Sequence, residues 1–166
     1  APAIPVTINQ GYVMPAWYDI LEMSLERKID TAQIEQSASS IRALIAQENE
    51  RGVPSEHIVI AGFSQGGAVA YQTALSYDKP LAGLLTLSTY LATKDSLVLS
   101  DANKNLKIAI HHGTQDPVVP VQLGQEAKAW LESKGYQPQF YSYPMAHQVC
   151  MPQLKIIGKW LNDVLA

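Results

Sequence analysis

Ser64, Asp116 and His147 supply, in that order along a 166-residue chain, an oxygen nucleophile, a carboxylate and an imidazole. A serine hydroxyl is a weak nucleophile on its own. It becomes effective when an imidazole takes its proton during attack and a carboxylate holds that imidazole in the right tautomer. Ser64 lies in Gly62-Phe63-Ser64-Gln65-Gly66, between an apolar run and a run of small residues. Glycines at 62 and 66 let a chain turn so tightly that an incoming strand and an outgoing helix nearly touch, with the hydroxyl at the apex. The pentapeptide alone is weak evidence, since average glycine and serine usage produces it in about one chain of this length in twenty to thirty. Its flanks, and the places of Asp116 and His147, decide what it is worth.

The flanks read as alternating strands and helices. Residues 58–61 form a short, continuous apolar run, as buried strands of parallel sheets do, and a helix follows over about 67–76. Further strands are expected at 81–88, 106–111 and 139–143. Pro120 opens a helix with Leu123, Ala127, Trp130 and Leu131 on one face and Gly135 as its stop, and Pro152 opens another lined by Leu154, Ile157, Leu161 and Leu165. Upstream, Asp30 is an N-cap with Gln33 three residues on, and Ile34, Ala38, Ile41 and Ile45 repeat at helical spacing until Gly52 and Pro54. This predicts an α/β fold with a doubly wound, mostly parallel sheet, in a single domain over 1–166. Residues 1–29, broken by Pro2, Pro5, Gly11 and Pro15, read as an irregular apolar loop region with something to cover, before the alternating elements of 30–166. In this arrangement Ser64 tops a strand-to-helix turn, while Asp116 and His147 each fall on a loop after a later strand. Strand, G-x-S-x-G turn and helix, then Asp and His on successive strand ends, form the α/β-hydrolase pattern.

Bulk composition excludes several alternatives. Hydrophobic residues at 47% and charged residues at 16% are globular values, and the length suffices for a core without staples. Twelve basic residues against 15 acidic, with no block of like charge, argue against nucleic acid or an anionic membrane as partner. No apolar stretch is long enough for an integral membrane segment, no basic-then-apolar leader is seen, and Cys150 alone forms no internal disulfide, so a cytoplasmic protein is expected. His111 and His112 stand together at a strand end without ligand spacing, which favours structural histidines over a metal site. His57 reads as surface. Cys150 shares a local segment with His147, and Ser64 already occupies the turn, so a cysteine nucleophile is disfavoured.

The segments GFSQGGAV, HGTQDPVVP and YPMAHQV, with VTINQGYVMPAWYDI upstream, resemble the bacterial carboxylesterases that belong with the acyl-protein thioesterases, from about Val6 to the end. The resemblance implies a serine hydrolase of small to medium carboxylic esters, thioesters or lysophospholipids, with Ser64 as nucleophile, His147 as base and Asp116 as its orienter. It implies no cofactor and a small-molecule ester as the partner. The Gln65 N–H would be one oxyanion donor. Met14, Trp17 and Tyr18, with Ile20, would wall an acyl pocket, against the alternative of ordinary core packing. Phe63 would touch substrate, against the alternative of a core plug, and Ser88 would bond loop backbone near the site. The family's His-Gly-Leu-Gly type oxyanion loop is not found upstream of Ser64, so the fold is expected to be N-terminally truncated, with an open edge on the Ser64 strand. The chain is then part of a longer protein, a short form that rebuilds the donor locally or from a neighbour, or a non-catalytic or weakly active remnant serving as an assembling scaffold. An exposed apolar edge would favour a homodimer.

Overall fold

The computed structural model describes residues 1–22 and 28–166. Among these residues eight strands and four α-helices follow one another: β1 (Ala3–Val6), β2 (Tyr12–Pro15), β3 (Ile20–Glu22), β4 (Lys28–Ile29), α1 (Thr31–Glu50), β5 (Val59–Phe63), α2 (Gln65–Ser76), β6 (Gly83–Leu87), β7 (Lys107–Gly113), α3 (Val121–Ser133), β8 (Gln139–Tyr143) and α4 (Met151–Leu165). Strands β5 to β8 form a parallel sheet in the order β5-β6-β7-β8, in register from Val59 opposite Gly83 to Gly113 opposite Tyr143.

Strand alternation divides the core into two layers. Ile60, Leu84, Ile108 and Ile110 point to one face, where Ile45 of α1, Tyr71 and Leu75 of α2 and Leu131 of α3 cover them. Leu85 and Ala109 point to the other, under Ile157 and Trp160 of α4. Helix α4 is rotated from the face its leucines predict: Ile157 is buried and Leu161 packs beside it as expected, but Gln153 and Trp160 are buried with them while Leu154 and Leu165 stand 47% and 44% exposed. The indole decides the orientation. It lies so close over Gly83 that a Cβ there would sit 2.6 Å from its Cη2, and burying that ring removes more apolar surface than a leucine can.

The N-terminal region is more ordered than its prolines imply. β1 and β2 pair as an antiparallel hairpin from Ala3–Pro15 to Val6–Tyr12, and β3 pairs with β4. Gln10 and Gly11, at φ 57° and 76°, make the reversal between β1 and β2, and Pro5 costs little in a two-stranded ribbon whose outer edges need no donor. Residues 23–27, part of the stretch expected to be irregular, lie outside the described residues.

Helix α1 begins as expected: the Asp30 carboxylate accepts the Gln33 N–H at 3.0 Å. The Gln33 side chain does not close the box back onto Asp30. Its Oε1 accepts the Asp19 N–H at 2.7 Å and so ties the helix to the N-terminal segment. On its far side from β6, β5 has no partner strand among the described residues, and Ala61 in mid-strand is exposed.

Candidate active site

Between β5 and α2 the chain reverses at Ser64, whose φ of 54° and ψ of −123° are sparsely populated for a residue with a side chain. Neighbours hold this conformation in place. The Ser64 N–H donates to Leu87 C=O at 2.9 Å, and its own C=O accepts the Thr89 hydroxyl at 2.6 Å. Although Ser64 occupies the N-cap of α2, its side chain makes no capping bond, so the hydroxyl is not consumed by the helix.

The two glycines of the motif differ in what they tolerate. A Cβ on Gly62 would lie 2.2 Å from the Gly66 carbonyl oxygen, whereas one on Gly66 would rest 3.5 Å from Trp17 Nε1, an ordinary contact. Of these two glycines, the tight approach of strand and helix therefore requires Gly62 and not Gly66. Gly67 is the second obligatory position, since a Cβ there would stand 2.4 Å from Thr89 Cγ2. Gly62→Ala should cost about 3 kcal/mol in urea unfolding, while Gly66→Ala should stay close to the parent.

Asp116 is buried on the loop between β7 and α3. Its Oδ1 accepts two backbone N–H groups, from Val118 and Val119, both at 2.8 Å. Its Oδ2 meets His147 Nδ1 at 2.7 Å. Two fixed donors on one oxygen leave the other aimed at the imidazole. The His147 loop packs closely on the end of β7, where a Cβ on Gly113 would lie 2.3 Å from Met145 C=O. The Phe63 ring, next to Ser64, lies 4.7 Å from the His147 ring, tilted by 48°. Phe63 is 39% exposed, which excludes the core-plug role and leaves it on the surface beside the imidazole.

The upstream aromatics separate. Tyr18 is fully buried, with its hydroxyl 2.7 Å from that of Tyr90 and its ring among Ile34, Ala68 and Val69. It belongs to the core and does not wall an open pocket, because its phenol finds a buried partner there. Met14 lies on the β1–β2 hairpin, where its sulfur accepts Asn9 Nδ2 at 3.3 Å. Trp17 is the member of this group that reaches the serine turn. Its ring faces Gly66, its backbone N–H donates to Gln65 Oε1 at 3.2 Å, and Gln65 Nε2 donates to Tyr18 C=O at 2.9 Å. The Gln65 side chain is thus a brace whose amide is spent on the Trp17 and Tyr18 backbone. Its backbone N–H, first in α2, belongs to the group of helix N-terminal donors that lack an intrahelical acceptor.

His111 and His112 are both fully buried. His111 stacks on Tyr141 and Tyr143, with Nδ1 2.8 Å from the Tyr143 hydroxyl. Burial pushes its imidazole down to about 4, and burial also lowers His112. The unfolded chain then binds protons that the native state refuses, so stability is full above about pH 6.5 and falls as pH drops toward about 4. Melting temperatures across that window should fall less steeply in His111→Phe than in the parent. Ser88 departs from expectation: its hydroxyl has no partner among the described residues, and its backbone, at φ 47°, donates to His111 C=O at 2.8 Å. Cys150 serves as the N-cap of α4, with its N–H donating to Gln153 Oε1 at 3.3 Å. His57 is exposed, as expected.

A parallel sheet flanked by helices, with a strained serine turn and an aspartate-bound histidine at the ends of its strands, defines an α/β-hydrolase. Residues 1–165 match the phospholipase/carboxylesterase family, and the chain belongs to it. It is 38% identical over 175 residues to acyl-protein thioesterase 1 of Neurospora crassa, spanning 99% of this chain and 71% of the relative. A second acyl-protein thioesterase 1, from Mycosarcoma maydis, is 35% identical over 99% of this chain and 75% of its own length. Among solved structures, Arabidopsis thaliana SOBER1 superposes with a TM-score of 0.91 at 31% identity, over 100% of this chain and 81% of its own. The protein is a hydrolase by family, and among the described residues no helix is long and apolar enough to cross a membrane.

Proposed function

We propose that the chain hydrolyses carboxylic esters of small to medium acyl chains through an acyl-enzyme on Ser64. His147 Nε2 takes the Ser64 proton as Oγ bonds to the ester carbonyl carbon, and the Gln65 N–H donates to the oxyanion that forms. The intermediate collapses with cleavage of the bond to the leaving oxygen, which receives the proton from His147. Water then repeats the sequence on the acyl-enzyme, releasing the acid and restoring Ser64.

The observation that carries this reading is the 2.7 Å bond from His147 Nδ1 to Asp116, which leaves Nε2 as the nitrogen able to accept a proton. The unspent Ser64 hydroxyl next to Phe63, itself packed on His147, supports it. Phe63, Val118 and Val149 are 39%, 39% and 42% exposed and flank the three proposed residues in sequence, which suits an apolar acyl group. The thioesterase names borne by the relatives support thioesters as alternative substrates, with sulfur as the leaving atom.

Intact-protein mass after incubation with a fluorophosphonate tests the proposal. A single adduct on the folded chain, mapping to Ser64, is the expected result. A folded chain that takes no adduct would instead favour the scaffold reading, for which the open β5 edge is the supporting feature.

A further inference from the structure

His112 takes no part in the proton transfers above, yet it is fully buried one turn of chain from Asp116. Its Nε2 lies 2.8 Å from Val119 C=O. A carbonyl only accepts, so Nε2 carries the hydrogen and Nδ1 is left with a lone pair. That Nδ1 has no partner among the described residues and faces α3 at Gly124, where a Cβ would come within 2.5 Å of it. The residue whose carbonyl His112 holds is also the residue whose N–H holds Asp116 Oδ1 at 2.8 Å. Val119 is thereby gripped from both sides, by His112 at its carbonyl and by Asp116 at its amide.

We propose that His112 is a positioning residue for the Asp116–His147 pair: by anchoring Val119 it fixes the loop amides that occupy Asp116 Oδ1 and so leaves Oδ2 for His147. This rests on the reading of Ser64, Asp116 and His147 given above. The groups facing His112 are consistent with a neutral donor. Asp116 Oδ2 lies 3.9 Å from its Nε2 and His147 lies beyond, so a protonated His112 would compete with His147 for the same oxygen. Burial disfavours that charge. Gly124 completes the device, because a Cβ there would come within 2.5 Å of His112 Nδ1 and the ring could not keep its present place against Val119.

The test uses His112→Gln, which keeps an N–H donor near the Nε2 position, His112→Leu, which removes it, and Gly124→Ala, which displaces the ring without altering it. Two quantities are read: kcat and KM on a p-nitrophenyl ester, and the low-field proton NMR signal of the His147 Nδ1–H bonded to Asp116. His112→Leu and Gly124→Ala should lower kcat by up to about a hundredfold with little change in KM, because the acid–base pair is misplaced while the binding surface is not. Both should weaken or broaden the low-field signal. His112→Gln should recover most of both. A folded His112→Leu with parental kcat and signal, or a His112→Gln no better than His112→Leu, overturns the proposal. If His112→Leu does not fold, Gly124→Ala decides, since alanine is favoured in a helix and the three atoms nearest its Cβ all belong to the His112 ring. A parent chain that shows the low-field signal but hydrolyses no ester would sink the esterase reading, and the signal in the variants would still judge His112.

Discussion

Ser64→Ala is expected to reduce kcat for ester hydrolysis by about 10⁶ with no loss of thermal stability. The two halves of that statement have separate causes. The main-chain bonds that fix the turn run from Ser64 N–H to Leu87 and from Thr89 to Ser64 C=O, and neither involves the side chain. No capping bond to α2 is lost either. Alanine can therefore sit in the same geometry, and only the proposed nucleophile is removed. KM should change little, because the groups proposed to meet the substrate, Phe63 and the Gln65 N–H, remain. The measurement is steady-state turnover beside a melting curve. A Ser64→Ala protein with parental turnover would mean another nucleophile. Cys150 is the candidate to check, although its place as the N-cap of α4 gives it a structural role instead.

How much of this was legible in the sequence follows from what kind of signal each feature leaves. The parallel sheet was, because strands buried on both faces show as unbroken apolar runs such as Leu84–Leu85 and Ile108–Ile110. Asp116 and His147 were, because strand order alone puts both at one end of the sheet. The orientation of α4 was not. Periodicity treats Leu154 and Leu165 as equal to Ile157, whereas the choice is made by the fit of one indole over Gly83. Tyr18 and Trp17 are adjacent in sequence, yet one is core and the other lies against the serine turn. Their side chains are separated by partners far off in the sequence, the Tyr90 hydroxyl for Tyr18 and Gly66 for the Trp17 ring. The N-terminal hairpins were hidden because prolines weaken a strand signal without forbidding an edge strand. The grip of His112 on Val119 leaves no motif at all, though two glycines that nothing local requires, Gly67 and Gly124, mark where side chains from other elements press on a helix.

The geometry around Asp116 makes a sharp prediction for Asp116→Asn, a change of one atom. Oδ1 accepts two N–H groups that cannot move without breaking the loop, so the asparagine must place its carbonyl oxygen there. Its NH₂ then faces His147 Nδ1, where the carboxylate had accepted. An NH₂ can only donate, which obliges Nδ1 to give up its hydrogen and Nε2 to carry one. Nε2, the acceptor of the Ser64 proton in the proposed mechanism, becomes a donor and can no longer take it. Turnover should fall by about 10⁴, while the loop keeps both Val118 and Val119 bonds and the protein melts near the parental temperature. Asp116→Ala is the informative companion. It abandons both loop bonds and destabilises the fold, yet it leaves His147 free to choose its tautomer. If orientation of the imidazole is what Asp116 contributes, the well-folded asparagine variant should be no more active than the less stable alanine one. An asparagine variant within tenfold of the parent would show that His147 is oriented by something other than this carboxylate. The role assigned to His112 would then lose its object, because the loop it anchors would no longer govern the base.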